Sequence, residues 1–221
     1  MILNAILVLF AYLLGSIPSA VWISRKYYGI DIRDYGSKNA GATNMLRVLG
    51  KRAALPVFAI DMAKGFVAVQ LAFYSGYMQG SEAMFIMKIA LVGAAVLGHI
   101  FPVFAGFRGG KGVATLAGAV LGVYPPAVIL CLATFLVVLL FTHYVSVSSM
   151  TAGIMFPIYT YFVFGEHSRV LLWFGVAVAV LLLFTHRKNI KRLIAGTESK
   201  TFIFRKRPYR PRRRNGDDAA G

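Results

Sequence analysis

Acid is scarce in this chain, and so is cysteine. The 221 residues carry 8 Asp+Glu against 24 Lys+Arg, a formal charge of +16, and one cysteine. The single Cys131, set in an apolar run, excludes an internal disulfide framework and any multi-cysteine metal site. The four histidines, His99, His143, His167 and His186, are dispersed without carboxylates at ligand spacing, so neither a metal nor a cofactor is expected. Charged residues make up only 14% of the chain, where a soluble domain carries about 25%, while 58% are hydrophobic and the mean hydropathy is +0.68. An apolar body with basic edges points to an integral membrane protein embedded in lipid, not to a nucleic-acid binder.

Apolar runs lie at about 1–24, 53–75, 84–105, 113–124, 127–142, 147–164 and 169–186. They predict an all-α polytopic membrane protein of about seven transmembrane helices. The fourth and fifth runs are short and flank Tyr124-Pro125-Pro126, so one kinked element is the alternative there. No basic residue precedes the first run, which argues for an uncleaved helix with its N-terminus outside. On that orientation the inner segments 25–52, 106–112, 143–146 and 187–221 hold 7, 2, 0 and 12 of the Lys/Arg residues. Such asymmetry supports a cytoplasmic C-terminus. One membrane domain over 1–204 is expected, followed by a basic tail over 205–221 whose Arg205–Arg214 stretch is attracted to anionic lipid.

Polar residues gather in the inner segments. Gly109-Gly110-Lys111-Gly112 lets the backbone approach a ligand closely at the start of a helix, and Lys111 adds a charge, which is anion chemistry. It is not a Walker A loop, because Ala105 stands where the first glycine belongs. The competing reading is a flexible loop with a topogenic lysine. Gly36-Ser37-Lys38-Asn39 and Gly41-Ala42-Thr43-Asn44 supply hydroxyls and amides, with Arg47 able to pair a phosphate. A capped turn is the plainer alternative. His186 and Asn189 share a helix face, and Ser146 opens the sixth run. Asp61 and Lys64, three apart inside the second run, read as an internal ion pair. His99 approaches the inner face within reach of the glycine loop.

Together these segments resemble a known family. Gly15-Ser16-Ile17-Pro18-Ser19, Gly36-Ser37-x-Asn39-x-Gly41-Ala42-Thr43-Asn44-x-x-Arg47 and Asp61-x-x-Lys64-Gly65 fit its pattern, as do Gly98-His99 and Gly109–Thr115. Tyr144-Val145-Ser146 and His186-x-x-Asn189-x-x-Arg192-Leu193-x-x-Gly196-x-Glu198 complete it, in order, from about residue 10 to 200. The pattern is that of the bacterial acyl-phosphate-dependent glycerol-3-phosphate acyltransferases, the PlsY family. Lys38 departs from it, standing where a small residue, usually glycine, is common. The resemblance implies transfer of an acyl group from acyl phosphate to the sn-1 hydroxyl of glycerol 3-phosphate, without acyl-CoA or acyl carrier protein. It also implies seven spans and an active site on the cytoplasmic face of a bacterial inner membrane. Contact with the enzymes that make acyl phosphate and perform the second acylation is compatible with it.

By motif match, Ser37, Arg47, Lys111, Ser146, His186 and Asn189 are the implied catalytic and substrate residues. Gly109, Gly110, Gly112, Asn39, Thr43 and Asn44 are the implied phosphate-binding set, the last three by shaping the first loop. The H-x-x-x-x-D motif of the soluble-type acyltransferases is missing, since Phe104, Ser148, Leu172 and Lys191 follow the four histidines at that spacing. No Ser/His/Asp triad is legible, because the acids near these loops are Asp31, Asp34 and Glu198. Direct transfer is the expectation, with His186 or the substrate's own phosphate taking the proton. The competing route acylates Ser146 or Ser37 first. A transporter for a phosphorylated solute would need an inverted repeat, and none is visible.

Overall fold

A computed structural model describes residues 1–201; the basic stretch Arg205–Arg214 and the proposed limit at 204 lie outside the described residues. The described chain is helical throughout. Its α-helices are α1 (Ile2–Gly15), α2 (Ser19–Tyr28), α3 (Ala42–Leu49), α4 (Lys51–Gln70), α5 (Glu82–Ile100), α6 (Val113–Leu121), α7 (Pro125–Thr142), α8 (Val145–Ile158), α9 (Arg169–Thr185) and α10 (Arg187–Ile194). The apolar runs dictate most of these. The boundaries follow punctuation: Gly29 at φ +65° ends α2, Gly112 at φ +80° precedes α6, and Pro125-Pro126 opens α7.

Every predicted run is occupied by a helix, yet the runs differ in reach. Four segments, Ile2–Tyr28, Lys51–Tyr74, Glu82–Ala105 and Pro125–Thr142, are long and apolar enough to cross a bilayer. A fifth is added if α9 and α10, bent by 60°, count as one. The fourth and fifth runs are two separate helices. Only the fourth is short: α6 has 9 residues, about 13 Å of rise, against about 30 Å of hydrocarbon. The sixth run folds as the 14-residue α8 continued by a π-helical turn at Tyr159–Val163.

Glycines set how closely these helices pack. A Cβ on Gly65 of α4 would lie 2.0 Å from the Thr115 carbonyl of α6, and one on Gly118 would lie 2.0 Å from the Met62 carbonyl. Gly15 and Gly98 do the same for α1 against α5. Backbone contact of this kind is how helices associate where lipid removes any hydrophobic drive between them. α1 ends ahead of Pro18, which has no N–H to continue the helix, and Lys64 Nζ of α4 donates at 2.8 Å to the Ile17 carbonyl, which also accepts from the Ser19 amide at 3.1 Å. A second packing group, in which Val92, Val96, Leu116, Phe156, Phe174 and Val178 are buried together, joins α5 and α6 to α8 and α9. These two arrangements bring the ends of α5, α6, α8 and α9 to one place.

Candidate active site

The first loop is organised from within. Asp31 starts a 3-10 turn over Ile32–Asp34 and pairs with Arg25 at 2.7 Å and Arg33 at 2.8 Å. Hydrogen bonds from Arg33 hold its carboxyl well below the usual range, against the opposing effect of burial. Arg33 Nη1 also donates to the Ala105 carbonyl at 2.8 Å, tying this loop to the glycine turn. Asn44, 1% exposed, is the loop's centre: its Oδ1 accepts from the Ser37 amide at 2.9 Å, and its Nδ2 donates to the Ile32 and Tyr35 carbonyls at 3.0 Å. Its polar atoms are thereby committed to backbone. Lys38 has φ +59°, a left-handed conformation that glycine adopts freely, which gives the departure at this position a conformational cost.

At the other loops one carboxylate gathers the side chains. Glu198 Oε1 accepts from Ser146 Oγ at 2.9 Å and from Asn189 Nδ2 at 2.6 Å, while Oε2 accepts from Arg192 Nε at 2.7 Å. Burial pushes the Glu198 carboxyl up, but the bonds from Asn189, Arg192 and Ser146 outweigh it and hold the group below its ordinary value. Lys111 Nζ donates to Asn189 Oδ1 at 2.5 Å, so the amide of Asn189 links the cation to the carboxylate. Burial pulls the Lys111 ammonium down to about 8; Glu198 opposes the shift and the neighbouring Arg192 and Arg47 charges reinforce it. Ser146, His186 and Asn189 are all buried. The His186 ring nitrogen Nδ1 lies 2.8 Å from the Leu182 carbonyl, which can only accept, so Nδ1 carries the proton and Nε2 keeps its lone pair.

Arg47 reaches the same cluster from α3. Its Nη2 donates to the Ser199 carbonyl at 3.0 Å and to Thr201 Oγ1 at 3.3 Å. Among the described residues its buried Nε has no hydrogen-bond partner. An orphaned buried guanidinium donor is costly unless something anionic meets it. Arg47, Lys111, Ser146, His186 and Asn189 are therefore brought together. Ser37 lies in the neighbouring first loop with its amide bonded to Asn44 Oδ1, and that loop meets the glycine turn where the Ala40 carbonyl packs against Gly110.

The glycine turn differs from the sequence expectation. The amides of Gly109 and Gly110 are donated to the Ile100 and His99 carbonyls at 3.1 and 3.2 Å, so they do not face a ligand. The donors left for an anion begin at Lys111 and run into the first turn of α6, whose amides have no intrahelical partner. Glu198, absent from the residues expected at the site, is at its centre. The signal was present, because it is the one acid in a cationic segment close behind His186 and Asn189.

These features define a class: a helical integral membrane protein with a buried, cation-rich site for anions where its loops converge. Residues 5–196 match the family model described as glycerol-3-phosphate acyltransferase. A glycerol-3-phosphate acyltransferase of Fusobacterium nucleatum subsp. nucleatum is 40% identical over 193 residues, covering 87% of this chain and 95% of the relative. One from Thermoanaerobacter sp. (strain X514) is 45% identical over 190 residues, covering 86% and 91%. The crystal structure of PlsY (YgiH), an integral membrane glycerol 3-phosphate acyltransferase in its glycerol 3-phosphate form, superposes with a TM-score of 0.79 at 37% identity, covering 90% of this chain and 96% of that one. Its lysophosphatidic acid form gives 0.76. The chain belongs to the glycerol-3-phosphate acyltransferase family.

Proposed function

We propose that this enzyme moves a fatty acyl group from acyl phosphate to the sn-1 hydroxyl of glycerol 3-phosphate, releasing lysophosphatidic acid and phosphate. The observation that carries this is the cluster itself: Lys111, Asn189, Glu198 and Ser146 in one bonded chain, with the orphaned Arg47 Nε beside it. Both substrates are phosphate anions, and the arrangement supplies two cations, two hydroxyl or amide groups and an imidazole acceptor. Arg47, Ser37, Ser146, His186 and Asn189 hold glycerol 3-phosphate. Lys111 and the α6 amides neutralise the departing phosphate. Asn39, Thr43 and Asn44 shape the first loop, and Gly109, Gly110 and Gly112 carry Lys111 into place.

The hydroxyl oxygen attacks the acyl carbonyl carbon, a C–O ester bond forms, and the carbonyl C–O(P) bond breaks with its electron pair leaving on phosphate. The hydroxyl proton goes to the substrate's own phosphate, a base adequate for so good a leaving group. Positioning then supplies most of the acceleration. The transfer is direct, with no acyl-enzyme. The site lies on the cytoplasmic face of a bacterial inner membrane, in a domain over 1–204 of seven membrane helices, the short α6 among them packed on α4 within the bundle, with its N-terminus outside and a basic cytoplasmic tail over 205–221. The charge asymmetry of the loops supports that orientation. No cofactor takes part.

Purified protein in a lipid mesophase, given glycerol 3-phosphate and acyl phosphate, is expected to release phosphate and lysophosphatidic acid one to one. Turnover with acyl-CoA in its place would discard the donor. Turnover with neither, alongside glycerol 3-phosphate uptake by proteoliposomes, would make the protein a transporter.

A further inference from the structure

Directly beneath the glycine turn lies a second buried polar group that the transfer chemistry does not use. Asp61 on α4 is 1% exposed, and its Oδ1 accepts from Ser19 Oγ of α2 at 2.8 Å and from Lys64 Nζ at 2.8 Å. The same oxygen faces His99 Nδ1 of α5 at 3.6 Å, and Nδ1 lies 3.1 Å from Thr115 Oγ1 of α6. An ion pair that merely orients one helix needs Lys64 alone. Here α2, α4 and α5 meet at one carboxylate and α6 joins through His99, and charge is buried at such a depth only where its partners are well placed.

The far edge of the imidazole explains the arrangement. A Cβ added to Gly110 would lie 2.3 Å from His99 Nε2, so the ring fills the space that any side chain at 110 would need. His99 also accepts the Gly110 amide on its carbonyl. Thr115 sits in the first turn of α6, so His99 touches the chain on both sides of Lys111. We propose that His99, held between Asp61 and Thr115, is the positioning residue that fixes the Gly109–Gly112 turn and thereby places Lys111. The proposal rests on the reading that Lys111 meets the phosphate of the acyl donor.

The test compares His99→Ala, Gly110→Ala and the double variant in steady-state assays that vary each substrate separately. His99→Ala is expected to lower kcat/KM for acyl phosphate about tenfold or more, with KM for glycerol 3-phosphate within about twofold of the parent. Gly110→Ala is expected to lose as much, because its methyl collides with the ring. With the ring removed that collision goes, and the Ala40 carbonyl, 2.8 Å from the new Cβ, stays close. The double variant should therefore lie within about threefold of the worse single one, a non-additivity that neighbouring residues show. Losses that multiply, or that fall equally on both substrates in step with lost folded protein, would overturn the proposal.

If His99→Ala does not fold, Thr115→Val removes the hydroxyl at nearly constant shape and carries the test. A donor-selective loss is expected, and parental kinetics would contradict the proposal. The parent enzyme and Lys111→Ala keep the two readings apart. If the parent uses another donor, only the donor reading fails, and the same comparison is run with that donor.

Discussion

Lys111 and Asn189, 78 positions apart, meet at 2.5 Å, and through that amide the glycine turn is joined to Glu198 and Ser146. Asn189 accepts from an ammonium on one side and donates to a carboxylate on the other, which aspartate cannot do. Asn189→Asp places two carboxylates side by side and removes the donor. We expect kcat/KM to fall about a hundredfold, roughly 2.7 kcal/mol of transition-state stabilisation, measured as initial rates in detergent.

The depressed Lys111 ammonium sets an alkaline limit. With its value pulled from the ordinary lysine range to about 8, the group is charged below that pH and neutral above it. The attraction for phosphate is present on the acid side and lost as pH rises. A profile of kcat/KM, which reports the free enzyme, should fall through about pH 8, and Lys111→Arg should move that limb upward. An unchanged limb in the arginine variant would assign it to another group.

Glu198 is expected to matter for stability as well as for rate. Its carboxyl titrates below its ordinary value in the folded protein, so its contribution is present above the unfolded value and is lost as pH falls through the folded one. Glu198→Ala strands the buried donors of Ser146 and Asn189, at about 1–3 kcal/mol each. Thermal unfolding in detergent at neutral pH should show a lower Tm. The gap between variant and parent should narrow on acidification.

The free Nε2 of His186 orients a substrate hydroxyl in this account. His186→Gln, whose amide can also accept, should reduce kcat by about tenfold. A loss of about 10²–10⁴-fold is the size expected of a general base and would assign the proton to the imidazole.

Much of this was legible from the chain, for particular reasons. Lipid demands long apolar helices, so the hydropathy of α1, α4, α5 and α7 announces them, and glycines mark the turns at 29 and 112. Arg47, Lys111, Ser146, His186 and Asn189 stand out by motif match, and as polar residues in short helices and turns at the ends of the apolar runs. The hub role of Glu198 was hidden, since no spacing rule says that an acid near the chain's basic end will gather Ser146, Asn189 and Arg192. That the Gly109 and Gly110 amides turn back onto the end of α5 was hidden too: the direction of an N–H depends on the packed backbone, not on composition. The close seat of α6 on α4, through Gly65 and Gly118, is likewise a tertiary matter.

The most direct test of the central claim is the initial rate of lysophosphatidic acid formation from acyl phosphate and glycerol 3-phosphate, measured side by side for the parent enzyme and Lys111→Ala. Turnover is expected in the parent and a loss of at least about a hundredfold in the variant, comparable to removing one donor that stabilises developing charge. Parental rates in Lys111→Ala, from correctly folded protein, would contradict it.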